Sequence, residues 1–256
     1  MTRTIDPSPP LADDLWRPGR WWRLPAPART DWGPVGVVAA VLVAYNLAGE
    51  LVPDWGYVPA NLAVAAGLVW FALRRGATAG QLGLGRTGRG LAVGALVAAA
   101  VLALVVAAVA IPWTRAAFTD DRVVGESPGG LLYEVLVRIP FGTALFEEVA
   151  FRGVLFGLLV ARTTPWRAAT VSSLLFGLWH VLPTIEVLEL NDLYSGSSLA
   201  FGGAVTGAVA VTAAAGFGFC WLRLRAGSVL APVLAHAATN SIAFAAGWLV
   251  VDQGWV

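Results

Sequence analysis

Lysine is absent from this chain: all seventeen basic residues are arginines. There is one cysteine, Cys220, so no internal disulfide can form and CxxC zinc sites are excluded. Charge of either sign is scarce, with Asp, Glu and Arg making up 13% of the 256 residues against about 25% in soluble domains. A net charge of +1 gives no basic surface for nucleic acid. Histidine occurs twice, at His180 and His236. What fills the chain instead is apolar: 57% hydrophobic residues and a mean hydropathy of +0.71. That composition describes an integral membrane protein, with the lipid bilayer as its first partner.

Residues 1–32 are polar and rich in Pro and Arg, with WRPGRWWR at 16–23. No apolar run follows a short basic start, so this is not a signal peptide. We read a disordered cytoplasmic tail, with docking of its Trp/Arg cluster on an anionic membrane surface as the second reading. Apolar segments follow at 33–52, 57–73, 90–111, 131–160, 168–182, 199–222 and 228–250. A span needs about 20 such residues. The fourth is overlong and holds Pro140, which predicts a kink or an interfacial helix leading into the true span. Gly153/Gly157 and Gly203/Gly207 supply small-xxx-small spacing for close helix packing.

Arg residues in the tail and successive loops number five, none, four, two, two, none, two and none. The loops without Arg that join two spans carry acids: Glu50 and Asp54, then Glu186, Glu189 and Asp192. The loop with Arg115 and Arg122 also holds Asp120, Asp121 and Glu126. Excess Arg marks the cytoplasmic side. The expected fold is therefore all-α, a polytopic transmembrane helical bundle of about seven spans, or eight helices if the fourth segment divides. A single membrane domain covers 33–256, with the N-terminus cytoplasmic and the C-terminus outside.

The stretch 141–160, FGTALFEEVAFRGVLFGLLV, carries Glu147, Glu148 and Arg152 near its middle. Three unpaired central charges cost roughly 8–10 kcal/mol, more than the roughly 3–7 kcal/mol its Leu, Phe and Val residues return. Its charged side must turn inward. Glu148 and Arg152 lie four apart and neutralise one another. Glu134 and Arg138 have the same spacing near the outer end of their segment, and read as a structural pair. Glu147 has no such local partner, and points about 100° away from Glu148. A lone carboxylate in a dry site needs a cation, a metal or a hydrogen bond to stay charged.

Both histidines also fall inside predicted spans. Along a helix, Glu147 lies about 22 Å from Arg162, His180 about 20 Å from Arg167, His236 about 16 Å from Arg225, and Asn240 about 22 Å from Arg225. Three helices thus bring a Glu, a His, and a His with Asn240 to a similar level. A single His or Asn in a membrane helix is as readily polar glue between helices, but intramembrane ionisable groups are rare and usually purposeful. No Asp lies inside a span, which excludes a paired-Asp site, and no GxSxG elbow accompanies Ser172, Ser173 or Ser241. HExxH is absent, so this is no ordinary zincin. Two readings of the cluster remain. Glu147, His180 and His236 can bind a divalent metal such as zinc with a position open for water. Alternatively Glu147 and His180 bind the water directly, and His236 and Asn240 hold the oxyanion.

Three motifs carry a resemblance: Glu147-Glu148-Val149-Ala150-Phe151-Arg152 (EExxxR), Phe176-Gly177-Leu178-Trp179-His180 (FxxxH) and His236-Ala237-Ala238-Thr239-Asn240 (HxxxN). In this order, each on its own span, they resemble the CPBP family of CAAX prenyl endopeptidases, Abi proteins and bacteriocin-processing membrane enzymes. The resemblance covers about 131–246. It implies an intramembrane metalloprotease-like endopeptidase of a bacterial plasma membrane, acting on a membrane-associated peptide or protein. Glu147 and His180 would activate water, and His236 and Asn240 would bind metal or oxyanion. Glu148, Arg152 and Phe176 would support the site. Two other classes compete: a non-catalytic adaptor or bacteriocin-immunity scaffold of the same family, and a proton-coupled transporter, for which the expected inverted repeats do not stand out.

Overall fold

The computed structural model describes residues 30–190 and 198–255. Residues 1–29 of the predicted tail, with its Trp/Arg cluster, and Asp192 lie outside them. The described residues contain helices and turns and no strand, which is the all-α bundle the composition predicts. In chain order the helices are α1 (Gly33–Leu47), α2 (Asp54–Arg74), the short α3 (Ala79–Leu82), α4 (Thr87–Ala110), a long composite α5 over 128–160, α6 (Pro165–Trp179), α7 (Val181–Leu190), α8 (Ser198–Ala226) and α9 (Leu230–Asp252).

Their ends follow local chemistry. Thr78 and Gln81 form a reciprocal capping box on α3, and Gly83 closes it in the left-handed conformation at φ +73°. Ser127 and Thr164 cap α5 and α6 through their hydroxyls, each followed by a Pro at the first helical position.

Among the described residues, five helices are long and apolar enough to cross a membrane: Asp54–Arg74, Ala79–Ala110, Pro165–Leu190, Ser198–Ala226 and Leu230–Asp252. Seven such segments were expected, and two differ. The first is an apolar helix of only 15 residues, because the chain leaves the α-helix after Leu47 for a 3₁₀ turn at Gly49–Leu51. The fourth alternates between α and π geometry, so no single α stretch within it is long. Its π stretches are Glu134–Ala144 and Val149–Leu155. The backbone stays in the right-handed helical region at each junction, so α5 is one rod.

Pro140 accounts for part of that geometry. In a π turn each N–H bonds the carbonyl five residues back, and Pro140 has no N–H to offer Val135. The Ser241 hydroxyl of α9 donates to the Val135 carbonyl at 2.9 Å instead. Ser172 of α6 donates to the Phe151 carbonyl at 3.0 Å in the second π stretch. Both serines are occupied in holding α5 to its neighbours.

Helix α5 is the axis of the bundle. Residues 150–159 are buried without a break, so no face of that stretch meets lipid. Helices α1, α2, α6, α8 and α9 pack around it, while α9 also runs along α4 and α8 along α6. Glycine permits the closest approaches. A Cβ at Gly157 would stand 2.6 Å from the Gln81 carbonyl, and one at Gly94 would stand 2.7 Å from Leu234. Gly203 and Gly207 have nothing within 4 Å of the position a Cβ would take, so that small-xxx-small pair packs against no described helix.

The chain segments that carry Arg86, Arg162 and Arg223 meet at one end of the bundle, while Arg115 lies at the other, over the Trp255 ring. Arg223 donates to the Gln81 carbonyl at 2.9 Å, Val229 N–H to the Gly83 carbonyl at 2.9 Å, and Arg162 to the Leu158 carbonyl at 2.8 Å. Cations on the carbonyls that end a helix favour its dipole.

Candidate active site

Glu147 and Glu148 sit on the short α turn Leu145–Glu148 between the two π stretches of α5, and both are buried. Such π insertions often occur at functional sites. Side by side, the two carboxylates face different neighbours.

Glu148 is fully buried and shares its Oε1 between two partners. Arg152 Nη1 donates to it at 3.0 Å, and His236 Nδ1 lies 2.9 Å away. Arg152 is fully buried too, with its guanidinium 3.8 Å from the Phe176 ring centroid and 5.2 Å from that of Phe219. Gly216 of α8 leaves room for it, since a Cβ there would stand 2.7 Å from Nη2. An ionised carboxylate only accepts, so the hydrogen on His236 belongs on Nδ1 and its Nε2 presents a lone pair. The Phe219 ring stacks on His236 at 5.1 Å and fixes its plane.

His180 ends α6, at φ −85° and ψ 4°, just before Val181 opens α7. Pro183 is the local cause of the break, because its missing N–H leaves the Trp179 carbonyl without its helical donor. His180 Nδ1 lies 2.8 Å from the Phe176 carbonyl, which can only accept. Its hydrogen therefore sits on Nδ1, and Nε2 again presents a lone pair. Phe176 meets both rings edge to face, at 4.5 Å from His180 and 6.0 Å from His236.

Glu147 receives one hydrogen bond, from Trp179 Nε1 to Oε1 at 3.2 Å. Its Oε2 has no hydrogen-bond partner among the described residues. That atom stands 3.8 Å from His180 Nε2 and 3.9 Å from His236 Nε2. Glu147 Oε2 thus lies near both imidazole nitrogens, and with the rings neutral none of these three atoms donates a hydrogen to another. Such a place suits a water, whose two hydrogens serve two of the three, or a cation. His180 keeps 20% of its side-chain surface exposed, against 9% for Glu147 and 6% for His236, so access runs past His180.

Asn240, one turn beyond His236 on α9, is half-buried, and its side chain makes no hydrogen bond among the described residues. Residues four apart on a helix share a face about 5–6 Å apart.

Of the residues singled out from the sequence, the structure brings Glu147, His180, His236, Glu148, Arg152 and Phe176 into one cluster, with Asn240 on its α9 side. Trp179, Phe219 and Gly216 were missed. Trp179 and Pro183, four apart, were the readable signal for the first of these. No group of three His, Cys, Asp or Glu among the described residues stands in position to hold a metal. Glu134 and Arg138 pair at 3.4 Å under Tyr57, and no described imidazole touches them.

Residues 129–242 match the family model described as Type II CAAX prenyl endopeptidase Rce1-like. The matched segment contains all three motifs and every residue of the cluster. No curated protein and no solved structure matches the chain at a significant level.

Proposed function

We propose that this chain, whose residues 129–242 match the Rce1-like model of type II CAAX prenyl endopeptidases, hydrolyses a peptide bond of a membrane-associated protein or peptide by direct activation of water. The observation that carries the reading is that Glu147 Oε2 lies 3.8 Å from His180 Nε2 and 3.9 Å from His236 Nε2 inside an apolar bundle. A water held there donates to Glu147 Oε2 and to one imidazole.

As its oxygen attacks the scissile carbonyl carbon, Glu147 takes one of its protons. The C–O bond forms and the carbonyl electron pair moves onto oxygen. The Asn240 amide stands on the α9 side, where its N–H groups donate to that oxyanion. Glu148 behind His236 holds the ring's tautomer and orientation. The proton on Glu147 then passes to the amide nitrogen as the C–N bond breaks. The products are a carboxylic acid and an amine. Apolar walls from Phe146, Phe151, Phe176 and Phe219 exclude bulk water and strengthen each electrostatic contact.

A zinc would be held by Glu147, His180 and His236, where it would polarise the water and the carbonyl. The donor types fit, but the spacing does not. Ligands about 2.0–2.1 Å from a tetrahedral zinc stand about 3.3 Å from one another, and Glu147 Oε2 is 3.8 and 3.9 Å from the two imidazole nitrogens. The mechanism therefore routes no step through a metal. The Arg residues gathered at the end with Arg86, Arg162 and Arg223 support a cytoplasmic position for that end, with the N-terminus on the same side and the C-terminus outside.

Glu147→Gln keeps shape and removes the base. Purified protein acting on membrane-tethered peptides should lose cleavage by roughly 10²–10⁴-fold, with its helical content unchanged. Cleavage at the wild-type rate sinks the reading.

A further inference from the structure

Glu147 has two oxygens, and only one of them faces the imidazoles. Trp179 makes the distinction. Its indole N–H, a group that can only donate, is directed at Oε1 from 3.2 Å and leaves Oε2 without a hydrogen-bond partner among the described residues. The indole is itself wedged in place, with its ring 5.8 Å from Phe146 and 5.6 Å from Phe151. Tyr45 of α1 supports Phe146 from behind at 5.4 Å.

The backbone of Trp179 is held as well. Pro183 cannot donate to the Trp179 carbonyl, and a bare carbonyl inside a membrane bundle is costly. The Asn46 amide of α1 donates to that carbonyl at 3.2 Å. Asn46 lies 133 residues away in sequence and outside the matched segment 129–242. Helix α1 contributes to none of the three motifs, yet its one amide secures the residue that grips Glu147.

We propose that Trp179 is a positioning residue that selects Oε2 of Glu147 as the reacting oxygen, and that Asn46 acts through Trp179 to keep that selection. The proposal rests on the hydrolase reading, because it specifies which atom takes the proton of the water. Trp179 touches no reacting atom. Its loss lets the carboxylate rotate and present either oxygen, or neither, to the water.

The test uses the full chain in detergent micelles with a membrane-tethered peptide. Trp179→Phe keeps an aromatic ring but removes the N–H. A benzothienylalanine at position 179 keeps the two-ring shape and replaces N–H by sulfur, so it separates the hydrogen bond from packing. Both should lower kcat by roughly 10–100-fold, the range for partners that orient a reacting group, with KM changed less than about twofold. Asn46→Leu should lower kcat by less. Because Asn46 acts through Trp179, the double variant Asn46→Leu/Trp179→Phe should be no slower than Trp179→Phe alone.

Wild-type kcat with the benzothienyl side chain overturns the proposal even if the Phe variant is unstable. A loss confined to KM overturns it, and so do multiplicative losses in the double variant. Glu147→Gln separates the two levels. If that variant is inactive while the benzothienyl protein works normally, only the role of Trp179 falls; if Glu147→Gln cleaves normally, the hydrolase reading falls with it.

Discussion

Helix α5 carries two Glu–Arg pairs with identical spacing, and their settings differ in every respect but that. Glu134 and Arg138 stand 3.4 Å apart with 20% and 36% of their side chains exposed, and the guanidinium lies 4.4 Å over Tyr57. Glu148 and Arg152 stand 3.0 Å apart with no exposure on either side. The first pair is attraction in a screened setting, worth about 0–1 kcal/mol. The second is isolated from water, and each charge depends on the other. The buried Glu148 also reaches His236, 88 residues on, which the outer pair has no counterpart for. Four-residue spacing makes both pairs; burial makes one of them part of a site.

The comparison is broken most directly by removing one partner. Arg152→Met leaves Glu148 buried and uncompensated, and should cost about 3–5 kcal/mol of stability. Titration with a denaturing detergent, read by tryptophan fluorescence, checks this. A cost equal to that of Arg138→Met would show that the buried pair is no different from the outer one. Gly216→Ala tests the same setting from the other side. The new methyl would stand 2.7 Å from Arg152 Nη2 and 3.2 Å from Phe176, and should destabilise by about 1–3 kcal/mol with a matching fall in cleavage. Gly207→Ala, in open space on the same helix, should instead stabilise by about 0.5–1 kcal/mol. Arg138→Met is expected to cost about 1 kcal/mol or less and to leave cleavage intact. The smallest effect is that of a chelator, which should change the cleavage rate by less than about twofold, because the separations at Glu147 do not match zinc ligation. A complete loss of cleavage on chelation, restored by zinc, would overturn direct water activation.

Much of the cluster was readable because polar residues inside apolar spans are costly and therefore conspicuous. Glu147, His180 and His236 stood out for that reason, and the structure sets Glu147 between the two imidazoles. Glu148 was readable only as a partner of Arg152, since helical spacing reports neighbours on one helix and says nothing of His236 on another. The π geometry of α5 was masked, because its sequence is as apolar as an α-helix and only Pro140 hinted at a disturbance. The length of α1 was overestimated, because apolar residues run on past Leu47 after the helix itself has stopped.

That the chain is an all-helical membrane protein with charge hidden on its fourth apolar segment follows from the order of its residues alone. Hydropathy and the cost of a bare charge in hydrocarbon act on each segment alone, so they can be read along a single strand of text. Which oxygen of Glu147 lacks a partner among the described residues, which carboxylate holds His236, and the contact of Asn46 with Trp179 emerge from the packed bundle. Those are directional hydrogen bonds between helices distant in the chain, and their geometry exists only once the helices have packed.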